Sequence, residues 1–324
     1  MPVSPNLSEI MTTTLQNRSA TLSDNVSKNN ALLGRLREKG KVRPFTGGRN
    51  IVEELEYAEN TTFRRYTGYE VLNIQPSDVF TAAEFDIRQA AVVVSVSGLE
   101  MLQNSGEEAI IPLVEKRIDN AERTLMNNIS LDVYSDGTAD NGKQIGGLQL
   151  LVADDPTTGT VGGINRASWS FWRNQVLDIS NAGLGTPSTA NIQTAMNRLY
   201  LACSRGNDSP DLIVADNTMF RLYWESLQAI QRVTSEKEAN AGFNSIKYMN
   251  ADVVFDGGLG GGAPANKMYF LNTNYIYFRP HKDRNFVPLE PDRFSVNQDA
   301  MVKLIAFAGN LTLSNASLQG VLIP

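Results

Sequence analysis

Two residue types often recruited for catalysis occur once each in this chain of 324 residues, Cys203 and His281. A thiolate nucleophile or an imidazole base would have to be built on them alone. His281 lies in the polar string RPHKDR, and no GxSxG elbow accompanies it, so the sequence assembles no Ser-His-Asp triad. A zinc site resting on several cysteines or histidines, and an intrachain disulfide, are both impossible within one chain. Cys203 falls near the end of a helix-like segment, where it reads as a small buried hydrophobe. GGLGGG (Gly257 to Gly262) follows a strand-like run, as a phosphate-binding loop would. It leads into Ala263-Pro264 and another strand, and it lacks GxxxxGK[ST], so it reads as a strand connection. Asp136, Asp140, Asp154 and Asp155 are of the right type for calcium. Their spacing does not follow DxDxDG with a glutamate at position twelve, and solvated turns are the preferred reading. Asp154 and Asp155, adjacent in a turn, are poorly placed as an acid–base pair. These residues predict no catalysis, no cofactor and no metal.

Composition narrows the classes further. An apolar content of 42% supports a real core, and a net charge of −6 argues against a dedicated nucleic-acid binder while leaving room for a local basic patch. No apolar run approaches the roughly 20 residues that cross a bilayer. The first residues, MPVSPNLSEIMTTTLQN, have neither a basic start nor an apolar stretch, so a signal peptide is not expected.

The element that must organise the rest is a long helix. In SGEEAIIPLVEKRIDNAERTLMNNISLDVYSD, Ile111, Val114, Ile118, Ala121, Leu125 and Ile129 recur every three or four residues and draw one apolar stripe. Ser105 and Glu108 fit a capping box, and Pro112 fits the first turn of a later start, so the N-terminal boundary stays open. The spacing predicts a helix over about 107–134. Before it, IVEELEY, TTFRRYTGYEVL and FDIRQAAVVVSVS read as strands, the first two as an extended, charged hairpin that needs another surface to pack on. After it, a glycine-rich loop leads to SWSFWRNQVLDI, where Trp169 and Trp172 are expected to anchor packed structure.

From about 182 to 288 the rhythm is α/β. Thr186 and Pro187 open a helix with Ile192, Ala195, Met196, Leu199 and Ala202 inward, and Gly206 closes it. DLIVA is a short buried strand. Asp216 or Asn217 caps a second helix with Phe220, Tyr223 or Trp224, and Leu227 on its inner face. Strands follow at ADVVFD, MYFLNTNYIYFRP, FSVN, MVKLIAFAGNLTL and ASLQGVLIP.

Charge is patterned at the start of the chain. Residues 1 to about 34 are polar with scattered leucines and read as an arm. A basic run follows, with Arg35, Arg37 and Arg43 among its cations, and then an acidic run with Glu53, Glu54, Glu56 and Glu59. Two solvated faces, an inward surface for DNA phosphates, and a patch pairing with the acidic run of a neighbouring copy are the available readings. Between the two functional ones, pairing with a neighbour is preferred. Arg64 and Arg65, near the expected hairpin tip, are further candidates for contacts between subunits.

Four stretches, in order, carry a resemblance. FDIRQAAVVVSVSGLEMLQNSGEEAI, GTVGGINRASWSFWRNQ, PDLIVADNTMFRLYW, and MYFLNTNYIYFRPH with FAGNLTLSNASLQGVL together resemble the tailed-bacteriophage major capsid proteins of the Hong Kong 97 fold. The resemblance covers about residues 50 to 324. It implies an α+β chain with an N-terminal arm (1–50) and an extended β-hairpin loop (51–98). It also implies a peripheral domain with a spine helix (99–181, completed by 289–324) and an axial α/β domain (182–288). It further implies a non-enzymatic subunit of an icosahedral head, assembled in the host cytoplasm as pentamers and hexamers around double-stranded DNA. Its implied partners are its own copies, a separate scaffolding protein, a portal at one vertex and a decoration protein, with no membrane. A Lys–Asn crosslink has no matching positions here. A nanocompartment shell of the same fold, a minor virion component, and a hydrolase or nucleotide enzyme are the alternatives.

Overall fold

The computed structural model describes residues 30–103, 107–227, 245–257, 261–294 and 299–324. Ser105, and hence the capping box, lies outside them, as do most of the arm and three residues of GGLGGG.

The apolar stripe produces its helix. α3 (Glu107–Asp132) follows helices α1 (Ala31–Glu38) and α2 (Gly98–Gln103), and at 1.5 Å per residue it is about 39 Å long. Ile118, Ala121, Leu125 and Ile129 are buried, and the stripe continues into Val133 and Tyr134 beyond the helix end. The chain then folds back, with the Leu148 amide donating to the Val133 carbonyl at 2.8 Å. Gly147 makes this return possible, because a Cβ there would stand 2.4 Å from the Asp132 carbonyl oxygen. α3 packs on a three-stranded antiparallel sheet of β3 (Arg88–Ser97), β11 (Ile276–Phe294) and β12 (Ala300–Leu313), with β12 in the middle. Along β12 burial alternates up to Ile305 and is then continuous to Leu313, where the ribbon enters the body and both faces are covered.

A hairpin of β1 (Asn50–Glu56) and β2 (Phe80–Asp86) packs against β12. The expected strand in TTFRRYTGYEVL is absent: pairing ends at the Tyr57–Val79 amide–carbonyl bond, and residues 61–72 form turns and irregular loop. β-prone residues do not form a ladder there because, among the described residues, no strand lies beside the loop to pair with it.

The second body is a six-stranded mixed sheet. In spatial order it contains β6 (Gln175–Asp178), β13 (Gly320–Ile323), β10 (Met268–Leu271), β7 (Leu212–Ala215), β9 (Ala251–Phe255) and β8 (Ser245–Tyr248). One short antiparallel pair, β4 (Thr160–Val161) with β5 (Ile164–Asn165), lies in the glycine-rich loop. Helices α4 (Ile192–Ala202) and α5 (Asn217–Ser226) cover one sheet face, burying Ile213, Ala215, Val253, Met268 and Phe270. The alternate residues Leu212, Val214, Val254, Tyr269 and Leu271 join the main core on the other face. Strands buried on both faces have no polar alternation to show, which is why DLIVA reads as a plain apolar run.

Strands are grouped differently from the sequence boundaries at 182 and 288. The six-stranded sheet also takes β6 and β13, while β11, from Ile276 on, belongs to the three-stranded sheet. α4 begins at Ile192, five residues after Pro187. Asn191 holds the preceding turn, its amide donating to the Leu184 and Thr186 carbonyls at 2.8 Å each. Ala202 is exposed, and Tyr200 and Cys203 are buried in its place. Gly206 sits in the Arg205–Asp208 turn instead of closing the helix. α5 starts as its cap predicts: the Asp216 carboxylate accepts from the Met219 amide at 2.9 Å.

Candidate assembly surface

The residues whose types suggest chemistry are structural here. Burial pushes the Cys203 thiol up to about 12, far from a reactive thiolate. His281 packs edge-on against Phe45 at 5.0 Å, and its Nδ1 accepts the Asp283 amide at 3.1 Å. Asp136 and Asp155 each close a turn on a threonine two residues on, and those hydrogen bonds hold both carboxyls below the usual range. Among the described residues no three His, Cys, Asp or Glu side chains gather as a metal site, and no helix is long and apolar enough to cross a membrane.

The charged runs have a definite geometry. Asn30 caps α1 by accepting the Leu33 amide at 3.0 Å, and Leu32, Leu33 and Leu36 are buried. α1 is then fastened to the six-stranded sheet by carboxylates. Arg35 pairs with Asp252 at 3.0 Å and with Glu38 at 3.1 Å, Lys39 pairs with Asp211, and the Ala31 amide donates to Asp256 at 3.3 Å. Tyr134 also donates to Asp256, whose carboxyl is raised above the usual range by burial. Residues 41–45 run beside the start of β11, with the Arg43 amide donating to the Phe278 carbonyl at 2.9 Å. Arg43, Lys41 and Arg279 surround the Tyr277 ring at 4.8, 5.4 and 5.7 Å. Burial, with Arg43 and Lys39 nearby, lowers the Lys41 pKa. Arg37 is exposed.

The acidic run divides by strand parity. Ile51, Glu53 and Leu55 face inward; Glu54 and Glu56 face out. Glu53 is only 8% exposed, and its Oε1 accepts from Arg279 Nε at 2.7 Å and from the Thr312 hydroxyl at 2.8 Å. It therefore bolts the hairpin root to the β11–β12 ribbon. The sequence reading sets Arg35 and Glu53 at contacts between subunits; the structure gives each an ion-pair partner inside the chain.

Next to this root lies a ring cluster. Tyr57, Trp169 and Phe171 stand 5.5–6.0 Å apart, and Phe171 continues to Trp172 at 6.0 Å. Trp172 is 1% exposed and donates from Nε1 to the Val161 carbonyl at 2.9 Å, as an anchor should. Trp169 is 48% exposed. Gly162, at φ +58°, brings the β4–β5 turn against the hairpin, where a Cβ would stand 2.9 Å from Ala83 Cβ. The Glu84 amide donates to its carbonyl at 2.9 Å. Between the turn and the hairpin opens a groove of about 480 Å³, walled by Tyr57, Phe80, Ile164, Trp169 and Phe171, with Asp78 on its edge.

The tip of the hairpin, residues 60–77, has no such ring partners among the described residues. Asn60 Oδ1 ties its two sides, accepting from the Thr62 amide at 2.9 Å and the Ser77 hydroxyl at 2.9 Å. Beyond that tie Phe63, Tyr66, Tyr69, Val71 and Ile74 all stand in solvent, Tyr69 and Ile74 at 107% and 93% exposure. Arg64 approaches Glu70 at 3.9 Å, and Arg65 lies over the Phe63 ring at 5.4 Å.

This architecture has known counterparts. The capsid asymmetric unit of cyanophage A-1(L) superposes with a TM-score of 0.61 at 15% identity, covering 87% of this chain and 89% of that one. The chain has the Hong Kong 97-type capsid fold. The SrpI encapsulin complex of Synechococcus elongatus PCC 7942 shares that fold with a TM-score of 0.55 at 9% identity, over 89% of this chain and 86% of the other. The capsid of Myoviridae phage XM1 matches at 0.50 and 12%, over 89% and 90%. No protein-family model matches the chain, and no curated protein matches it in sequence. The capsid fold thus accounts for the α+β mixture that the sequence predicts.

Sequence reasoning found the charged residues but missed the groove. Its walls come from residues 57–82 and 163–171, which only tertiary packing brings together. The available signal was the crowding of Trp169, Phe171 and Trp172 beside glycines.

Proposed function

We propose that this chain is the major subunit of an icosahedral phage head, a structural protein that assembles with its own copies around double-stranded DNA. The observation that carries the proposal is the capsid fold joined to a hairpin whose tip exposes large apolar side chains that a lone subunit leaves in water. A monomeric enzyme gains nothing from such a loop; a shell subunit uses it to grip neighbours, each contact weak and the closed assembly stable. In this reading Arg37 and Arg43, Glu54 and Glu56, and Arg64 and Arg65 are the charged contacts available to neighbours. Scaffolding, portal and decoration proteins belong to the same proposal, as does assembly in a host cytoplasm before incorporation into virions.

The test is expression of the chain alone and with candidate scaffolding partners, followed by negative-stain electron microscopy. Closed hollow shells, or five- and six-membered rings, are expected. A stable monomer under every condition refutes the proposal. The encapsulin match supports a second reading, a shell around protein cargo. Particles purified from their native source decide between the two: nuclease-protected double-stranded DNA favours the phage head, and co-purifying protein cargo without DNA favours the nanocompartment.

A further inference from the structure

We infer that Asn141 is a site of self-modification: the Gly142 backbone nitrogen attacks the Asn141 side-chain amide and converts the residue to aspartate or isoaspartate, at a rate set by the opening of one turn. This chemistry belongs to the subunit itself and is independent of the shell reading.

The pair combines three conditions. Asn141–Gly142 is the one Asn-Gly dipeptide in the chain, and a glycine brings no side chain to hinder attack by its nitrogen or to restrict the backbone rotation that attack needs. The site is also open: Asn141 is exposed, and a Cβ added at Gly142 would meet nothing within 4 Å. Third, the Asn141 amide is not held. It has no hydrogen-bond partner among the described residues, whereas Asn174 is tied to both the amide and the carbonyl of Ala153, at 3.1 and 2.9 Å.

Backbone conformation supplies the gate. Asp140 and Asn141 sit side by side in the left-handed region, at φ 52° and 58°, which costs energy in residues other than glycine. With Asn141 ψ at 40°, the Gly142 nitrogen is turned away from the Asn141 side chain and donates to the Thr138 carbonyl at 3.1 Å. Ring closure waits for this bond to break and for ψ to rotate. Gln144 opposes that opening. Its backbone amide donates to the Ala139 carbonyl at 3.4 Å, and its side chain bridges the Ala139 amide at 3.4 Å and Asp132 at 2.7 Å.

The step balances with water alone. The Gly142 nitrogen gives up its proton to solvent and bonds to Asn141 Cγ; the Cγ–Nδ2 bond breaks and ammonia leaves, giving a five-membered imide. Water then opens that ring. Cleavage of the new N–Cγ bond gives aspartate, and cleavage of the original peptide bond gives isoaspartate, whose backbone runs through the former side chain. Asp136–Gly137, earlier in the same loop, is protected from the analogous closure. Its carboxylate accepts from the Thr138 amide and hydroxyl at 3.0 and 2.8 Å, and the Gly137 amide donates to the Ser135 hydroxyl at 3.2 Å. Conversion of Asn141 would set a new carboxylate beside Asp140 and Asp132 at the C-terminal end of α3, where the helix dipole disfavours negative charge.

The test incubates the full chain in neutral and in mildly alkaline buffer, beside a synthetic peptide of residues 138–144. Peptide mapping by mass spectrometry, with fragmentation that separates aspartate from isoaspartate, follows each asparagine. Asn141 should convert faster than any other asparagine of the chain, and faster in alkali. Its rate should be about tenfold below that of the peptide, the factor that about 1.4 kcal/mol of turn closure gives. Gln144→Ala should raise the rate in the chain about fivefold by loosening the turn. Conversion no faster than at Asn250, which is exposed and followed by alanine, overturns the site. A Gln144→Ala rate equal to that of the wild type overturns the gate. Either result leaves the proposed function standing.

Discussion

The root and the tip of one hairpin follow opposite rules. At the root every second side chain is buried, a carboxylate is bonded twice in the interior, and rings pack face and edge against a neighbouring loop. At the tip the ladder stops and the large apolar side chains point into water. Both stretches are rich in aromatic and charged residues, so composition does not separate them. The separation comes from what lies beneath: β12 and the β4–β5 turn support the root, and nothing among the described residues supports the tip. In the proposed assembly another molecule completes what this segment leaves open.

The contrast is sharpest in the two tryptophans. Trp172→Ala should cost about 3–5 kcal/mol in urea unfolding of the unassembled subunit, because it empties a filled site and removes the bond to Val161. Trp169→Ala should cost less than about 1 kcal/mol there, while impairing assembly. Equal losses in stability would break the comparison. Next in size is Glu53→Ala, which strands the Arg279 guanidinium and should cost about 3 kcal/mol, against roughly 0.5 kcal/mol or less for Glu54→Ala on the outer face. Thermal unfolding of the two single variants reads this directly.

A smaller effect, about 1 kcal/mol, is expected for Asp216→Ala, which removes the α5 cap. Smaller still is a pH effect at the corner where β3 turns into α2. Two Arg117 bonds, with the Ser97 amide, hold Glu100 down at about 2. A depressed carboxyl stabilises the fold above its unfolded value of about 4.3 and loses that contribution as pH falls through 2. Protection from hydrogen exchange at this corner, relative to the intrinsic rate at each pH, should therefore fall between about pH 4 and 2, and Arg117→Gln should flatten that dependence. At the tip, Phe63→Ala or Ile74→Ala should move subunit stability by no more than about 0.5 kcal/mol and still reduce shell yield. A large fall in subunit stability would mean that the tip packs within its own chain.

How much of this was legible in the sequence depends on how local each cause is. The long helix follows from a stripe of six residues, and α5 from an aspartate three residues before the amide it caps. The start of α4 was misread because Thr186-Pro187 is a good local opening, yet Asn191 binds that turn from outside the helix. The strand expected at 61–72 failed because β-propensity acts only where a partner strand exists. The parallel pairing of β6 with β13 joins residues far apart in sequence, and no local signal announces it. Likewise, Arg35 and Asp252 are 217 positions apart, so their pairing was invisible, and the cation read as a surface contact. The candidate groove is the extreme case, since neither wall forms a pocket without the other.

The position of β13 has a consequence for timing. It lies between β6 and β10 in the sheet, yet it is made after both. Chains emerge from the ribosome in order, and domains fold as their parts become available. Until Gly320–Ile323 are synthesised, the two flanking strands each carry an open edge and the sheet remains split. A polypeptide released early would therefore lack the strand that joins β6 to the rest of this sheet. Completion of this sheet is the last step in building this body.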